Sequence, residues 1–302
     1  MAITLTQLTA FLAVVRGGSV TAAADELVVT QPSVSSAVGA LSRELGCELF
    51  ERSGRGIRLT DAGRAFAPYA KDVIGLLEHG RQAAQEAAGH AARRLRIAAV
   101  TTAAESFVPT LMRAFSEQHP EIELSLAVGN REEVLDRVLT HVADVAISGK
   151  PPGDGRLRAE PLMENDIVCI TAPDDAAAGG VALAAAELHD RAWLLREPGS
   201  GTRELNERFL SERELRPRTL TLGSNGAIKQ AVRAGLGVSL LSRAAVEAEL
   251  QAGLLGEIRL ADGPRTRPWF LLSSAVGPRL PAVELFIAHV RDGLLPRVAE
   301  PT

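Results

Sequence analysis

The chain is poor in cysteine and in aromatic side chains. It carries two cysteines, two tryptophans and one tyrosine in 302 residues, with aromatics at 4%. Its cores must therefore be built from Leu, Val, Ile and Ala. Cys47 and Cys169 lie far apart in sequence, which argues against a disulfide framework and fits a reducing compartment. No charged segment followed by an apolar one opens the chain, and no apolar run is long enough to cross a bilayer. A soluble, cytoplasmic protein without membrane contact is the expectation. A formal net charge of -4 excludes indiscriminate binding to nucleic acid, so any DNA contact has to be local and geometric. Catalytic signatures are missing as well. The six histidines form no pair at metal-ligand spacing and have no cysteine beside them. There is no Walker motif and no Gly-x-Gly-x-x-Gly after a strand-like run, and Pro198-Gly199-Ser200-Gly201 lacks the frame of a nucleophile elbow. These absences predict no enzymatic activity, no metal and no cofactor.

What is present is concentrated between Gly18 and Phe50, GSVTAAADELVVTQPSVSSAVGALSRELGCELF. Ser19 is placed to cap a short Ala-rich helix over 21–27, Val28 and Val29 make a turn, and Thr30 caps a second helix. In that second helix Val34, Val38, Leu41 and Leu45 fall on one apolar stripe. Gln31, Ser35, Gly39 and Ser42 run along another face, with Ser33 and Ser36 at its margins. Two short helices, the second with an apolar back and a narrow polar front, suit a helix-turn-helix whose first residues reach base edges in the major groove. A helical hairpin inside an ordinary globular core has the same periodicity. A further helix over 4–16 backs the pair, and 51–60 reads as a small hairpin turning at Ser53-Gly54-Arg55-Gly56. Arg52, Arg55 and Arg58 make that hairpin a wing able to touch phosphates or the minor groove. The candidate DNA-contacting residues are Ser19, Thr30, Gln31, Pro32, Ser33, Ser35, Ser36, Arg52 and Arg55.

A long helix follows from Thr60 or Asp61 to about Ala88. Phe66, Tyr69, Val73, Leu76, Gly80, Ala83 and Ala87 alternate steps of three and four along it, which is a coiled-coil seam. With no neighbouring sequence to pack on, this helix is predicted to pair two copies of the chain. Pro68 is predicted to kink it. Pairing places two reading helices about 34 Å apart on a two-fold site in double-stranded DNA. Beyond a linker at 89–94 the pattern changes to alternating strands and helices, an α/β architecture. Strands are expected at 95–100, 122–128, 142–147, 166–172, 192–195, 220–222, 238–241 and 269–273. Helices are expected at 107–118, 132–139, 202–212, 227–234, 244–250 and 281–294. Ligands of open α/β sheets bind beyond the carboxyl ends of strands. Three such junctions carry hydroxyl, amide or cationic side chains: Thr101-Thr102, the stretch Arg196 to Arg203 with Ser200, Gly201 and Thr202, and Asn225. Hydroxyls, free N–H groups and arginines together favour a small anion; ordinary helix capping also explains any one of them.

The stretch AAADELVVTQPSVSSAVGALSRELGCELFERSGRGIRLTDAG resembles the N-terminal signature of LysR-type transcriptional regulators over about forty residues without a gap. Ser36 stands where the family often has a long polar or basic residue. The resemblance implies a winged helix-turn-helix in 1–60, a linker and dimerisation helix in 61–92, and an effector-binding domain in 93–302. That domain is similar to the two-lobed periplasmic-binding-protein fold, with one lobe at about 94–164 and 268–295 and the other at about 165–267. Val145 to Pro152, Arg196 to Arg203 and Ser224 to Val232 resemble the subgroup that regulates Calvin-cycle carbon fixation or sulfur metabolism. Effectors there are phosphorylated metabolites, nicotinamide nucleotides or small sulfur oxyanions. The comparison adds Ser148 and Lys150 to the candidate site, although Lys150 stands where arginine is common and Gly226 where glutamate is common. It also implies promoter DNA as partner and a homodimer that assembles into a homotetramer. A small-molecule-binding protein or enzyme built on the two lobes is the alternative; it leaves the first ninety residues with dimerisation alone.

Overall fold

The computed structural model describes residues 2–53, 56–89, 93–263 and 266–294. The chain divides into two compact units, Met1–Ala91 with Leu139–Val142, and Ala92–Val138 with Ala143–Thr302.

The first unit opens with α1 (Leu5–Gly17), α2 (Val20–Leu27) and α3 (Gln31–Leu45), continues into a hairpin of β1 (Phe50–Ser53) and β2 (Gly56–Leu59), and ends in α4 (Asp61–Ala87). A hydroxyl caps each helix. Thr4, Ser19, Thr30 and Thr60 accept the backbone N–H of Gln7, Ala22, Ser33 and Gly63 in turn, each contact worth about 1 kcal/mol. Gly18 and Gly46 take the left-handed conformation that ends α1 and α3. Val28 adopts it too, at φ 55°, which turns the chain sharply from α2 into α3. Leu8, Phe11, Leu12, Leu41 and Leu49 form one part of the core, and Ala10, Ala13, Val14, Ala23, Ala24 and Val34 the other.

The long helix departs from the sequence reading. It does have a neighbour, because Phe66, Ala67, Ala70 and Ile74 pack against the core built around Phe11 and Leu41. Periodicity marks an apolar face without saying what covers it, and here α1 and α3 cover one flank. Tyr69, Val73 and Leu77 remain exposed on another. The helix runs through Pro68 as one element.

The second unit contains β3 (Arg93–Val100), α5 (Thr101–Ser106), α6 (Val108–Gln118), β4 (Ile122–Gly129), α7 (Arg131–Leu139), β5 (Val145–Ser148), β6 (Leu157–Met163), β7 (Ile167–Thr171), β8 (Trp193–Arg196), α8 (Gly201–Glu212), β9 (Thr219–Leu222), α9 (Asn225–Arg233), β10 (Ser239–Ser242), α10 (Glu247–Gln251), β11 (Gly256–Ile258), β12 (Trp269–Ser274) and α11 (Pro281–Leu294). Five strands in the order β4-β3-β5-β12-β6 make the first lobe's sheet; β4, β3 and β5 are parallel, and β12 runs antiparallel to both its neighbours. The second lobe has a β10-β7-β11 sheet and a parallel β8-β9 pair, linked by a bridge between Trp193 and Val238. The chain passes between lobes twice, and the two crossings are tied where Arg267 N–H donates to the Asn165 carbonyl at 3.0 Å.

Sequence patterning does not reveal α5, β6 or β11. β6 is an edge strand in which Arg158, Glu160 and Pro161 interrupt the apolar residues and only Leu162 is buried, so it lacks the apolar run of a central strand. β11 has three residues. β5 starts at Val145, three residues later than expected, because His141 takes a positive φ of 58° and Asp144 turns inward to accept Arg96 N–H at 2.7 Å.

Acid sensitivity of this unit has an identifiable source. Asp175 accepts from the Arg191 guanidinium, from Thr171 Oγ1 and from Ala177 N–H. The arginine bond, against the cost of burial, holds its carboxyl well below the ordinary carboxylate range. A lowered carboxyl pKa contributes stability that is present above about pH 4 and lost as pH falls through the folded-state value. Asp175→Asn should therefore lower the melting temperature at pH 7 and leave a flatter acid limb between pH 4 and 2. An unchanged acid limb in a melting series would show that other carboxylates govern it.

Candidate DNA-reading face and effector cleft

On α3, Val34 and Leu41 are buried, while Gln31, Pro32, Ser33, Ser35 and Ser36 stand exposed together on the other side. The sharp turn at Val28 sets this N-terminal end outward. Gln31 Nε2 donates to Thr21 Oγ1 at 2.7 Å and Ser33 Oγ lies 2.8 Å from Thr30 Oγ1, so α2 pre-orients the first turn of α3. Ser19 and Thr30 use their oxygens on helix N–H groups, as caps. Arg52 is exposed on β1, Arg58 pairs with Glu51 at 2.8 Å, and Arg55 lies outside the described residues. Gln31→Ala should leave the fold intact, since Gln31 is exposed, and should relax operator choice by about 1–3 kcal/mol at the contacted base. The check is a competition series with single-base operator variants; an unaltered preference would mean that another residue does the reading.

In the second unit the carboxyl ends of β3, β4 and β5 meet the start of α8 across the lobe boundary. Thr101, Thr102, Asn130, Arg131, Ser148, Arg196, Ser200, Gly201, Thr202 and Arg267 line the cleft there. Its volume is about 60 Å³, room for a handful of waters at roughly 10–15 Å³ each. The walls are held by named bonds. Arg267 Nη1 donates to the Gly201 carbonyl at 3.1 Å, Glu132 N–H to the Gly199 carbonyl at 3.1 Å, and Asn225 Nδ2 to Thr102 Oγ1 at 2.9 Å. Gly199, at φ 82°, makes the turn that brings α8 to this point.

The arginines are not equivalent. Arg196 is buried and committed: Nε and Nη2 donate to Glu197 at 2.7 and 2.8 Å, and Nη1 to Asn225 Oδ1 at 2.5 Å. Burial opposes charge on Glu197, yet the Arg196 guanidinium beside it holds its pKa below the usual range. Arg267 has the reverse situation. Burial lowers its pKa first, Arg208 and Arg131 add repulsion, and Glu204 offsets only part of this. Arg131 donates through Nη2 to the Lys150 carbonyl at 2.9 Å, and its Nη1 stands 3.4 Å from Glu204 Oε1. Its Nε is buried without a hydrogen-bond partner, and so is Ser148 Oγ. Two unpartnered buried polar groups and three arginines, one of them already committed, therefore share one small cavity.

Of the ten effector residues proposed from sequence, Thr101, Thr102, Ser148, Arg196, Ser200, Gly201 and Thr202 line this cavity. Lys150, Arg203 and Asn225 do not. Lys150 meets Arg131 through its carbonyl, Arg203 turns to the Arg196 carbonyl, Thr221 and Glu207, and Asn225 stands behind Arg196. Arg131, Asn130 and Arg267 were not proposed. The rule that flagged Thr101 applies equally to Gly129-Asn130-Arg131, a strand end running into a helix. Arg267 carries no such signal, because it sits on the second crossing between lobes. Among the described residues no helix is long and apolar enough to cross a membrane, and no group of three His, Cys, Asp or Glu could hold a metal ion.

Comparison with known proteins covers both units. Residues 5–64 match the bacterial regulatory helix-turn-helix proteins of the lysR family, and residues 88–295 match the LysR substrate binding domain. The chain is 38% identical to a RuBisCO operon transcriptional regulator of Allochromatium vinosum over 90% of each. The regulatory domain of CcmR from Synechocystis PCC6803, solved in complex with 2-PG, is 32% identical. It superposes with a TM-score of 0.63, covering 67% of this chain and 97% of that one. The full-length regulator CbnR complexed with its target DNA shares the fold, at a TM-score of 0.60 and 24% identity over 96% of this chain and 99% of that one.

Proposed function

The chain belongs to the LysR family of bacterial transcriptional regulators, and on that premise we propose that a small oxyanion, a phosphorylated metabolite foremost, controls its promoter binding from the cleft between the two lobes. It is a DNA-binding regulator with an effector-binding domain, not an enzyme. The helix-turn-helix match removes the alternative in which the first ninety residues serve dimerisation alone. The observation that carries the anion reading is the pair of buried, unpartnered groups at Arg131 Nε and Ser148 Oγ inside a cavity that Arg267 also lines. An unmade buried hydrogen bond costs about 1–3 kcal/mol, which a ligand recovers by accepting from these groups. The CcmR domain bound to 2-PG supports the same chemistry.

In this reading Thr101, Thr102, Ser200 and Thr202 hydroxyls add contacts, Arg196 and Asn225 brace the wall, and Lys150 orients Arg131 through its carbonyl. Ser19, Thr30, Gln31, Pro32, Ser33, Ser35, Ser36, Arg52 and Arg55 make the DNA surface. A homodimer forms through the exposed Tyr69, Val73 and Leu77 flank of α4, dimers assemble into a tetramer, and the protein works in the cytoplasm. The ligand acts by binding one arrangement of the lobes better than another.

Titration of the full-length protein with inorganic phosphate, sulfate and 2-phosphoglycolate tests the binding step. A saturating anion at a hundredfold its Kd should stabilise the chain by about 2.7 kcal/mol, a rise of several degrees in melting temperature. No shift with any of the three would contradict the anion assignment.

A further inference from the structure

A counter-ion stands beside the cleft. Glu204 lies in the first turn of α8, in the second lobe, and its carboxylate stands 3.4 Å from Nη1 of Arg131, which the first lobe contributes. Arg131 is otherwise fixed. Nη2 is bound to the Lys150 carbonyl, and Cδ lies so close to α8 that a Cβ on Gly201 would come within 3.2 Å of it. The same carboxylate is the one that offsets, at Arg267, the repulsion from Arg131 and Arg208. Two arginines thus share one carboxylate across the lobe boundary, while Arg131 Nε and Ser148 Oγ stay unpartnered.

We propose that Glu204 is a built-in competitor for the effector, a residue that sets how much charge and how many oxygens an anion must bring in order to displace it. This inference rests on the anion reading of the cleft. A monocarboxylate offers Arg131 the interaction that Glu204 already supplies, and Glu204 is tethered, which gives it a high effective concentration. A phosphate carries more charge and three acceptor oxygens. It can reach Nε and the Ser148 hydroxyl, which the glutamate leaves unmade, while its charge competes with the glutamate for the Arg131 guanidinium. The competitor thereby refuses weak monoanions and admits multidentate ones, a specificity obtained by setting a threshold rather than by adding contacts.

The test compares wild type, Glu204→Gln and Glu207→Gln by calorimetry, each as the full chain, with inorganic phosphate, 2-phosphoglycolate and glycolate as probes. Glu204→Gln should bind both phosphates about two- to five-fold more tightly, the scale of a partly exposed ion pair, and should bring glycolate closer to the detectable range. Glu207→Gln removes the same charge from the same helix, but its partner is Arg203 at 2.7 Å, so it should gain nothing comparable. Glu204→Asp, which withdraws the carboxylate by one methylene, should fall between wild type and the glutamine variant and covers the case in which that variant folds poorly. Equal or weaker phosphate binding by Glu204→Gln would overturn the proposal and make Glu204 a support for Arg131. An equal gain in Glu207→Gln would also overturn it, by reducing the effect to bulk charge. If neither wild type nor any variant binds any probe, the anion reading of the cleft fails first and this inference with it.

Discussion

Gly63→Ala should weaken operator binding by destabilising the DNA-binding head. A Cβ at Gly63 would collide with the Leu49 carbonyl oxygen and come within 2.7 Å of Leu59 Cδ2. Neither can yield cheaply. The Leu49 carbonyl accepts Thr60 N–H at 3.0 Å, and Leu49 itself is fully buried beside Phe11 and Leu41. Relief requires moving the first turn of α4 away from the wing, which opens the core over Ala67 and Ala70. Overpacking of this kind costs about 3 kcal/mol or more where backbone must shift. Small helical heads have little stability to spare. In a melting experiment with separable transitions the head's transition should fall by at least about 8 °C, while the second unit's is retained. Operator affinity should fall with it. Wild-type affinity in Gly63→Ala would show that the junction between α4 and the wing is looser than the contacts described.

Arg267→Met should remove anion binding without harming the fold. Without a bound anion the charge of Arg267 is a liability, since burial and the neighbouring Arg131 and Arg208 all act against it. A guanidinium keeps its proton regardless, so the unfavourable interaction remains in the folded state until an anion arrives. Methionine keeps much of the stem's volume and drops the charge. The loss of one bond to the Gly201 carbonyl is set against the relief of that repulsion. Removing a poorly compensated buried charge is often neutral or stabilising, so the unliganded melting temperature should hold or rise by a few degrees. Charge-assisted bonds contribute about 1.5–3 kcal/mol each, so affinity for 2-phosphoglycolate should drop by roughly ten- to a hundredfold. A variant that melts lower and still binds normally would make Arg267 a structural residue.

The parts legible in the sequence were those whose signal is local. The α3 stripe of Val34, Val38 and Leu41 and the hydroxyl caps at Ser19 and Thr30 belong to this class, because each depends on residues within a few turns. Most strands of the α/β unit were legible for the same reason, as short apolar runs between turn residues. What escaped depends on tertiary placement. Nothing in the composition of α4 says that Phe66, Ala67, Ala70 and Ile74 are covered by α1 and α3. Arg196 reads as a free cation in sequence and is fully committed to Glu197 and Asn225 in space. Arg131 and Arg267 become neighbours only because the chain crosses between lobes twice, and a one-dimensional pattern does not encode that proximity.

The most direct test of control from the cleft is fluorescence anisotropy of the full-length protein on its promoter duplex, with and without saturating 2-phosphoglycolate, in wild type and Arg267→Met. The account predicts that the anion changes the apparent Kd or the salt slope for wild type and does nothing to the variant. Superimposable wild-type curves, at a concentration where calorimetry shows the ligand bound, would contradict it.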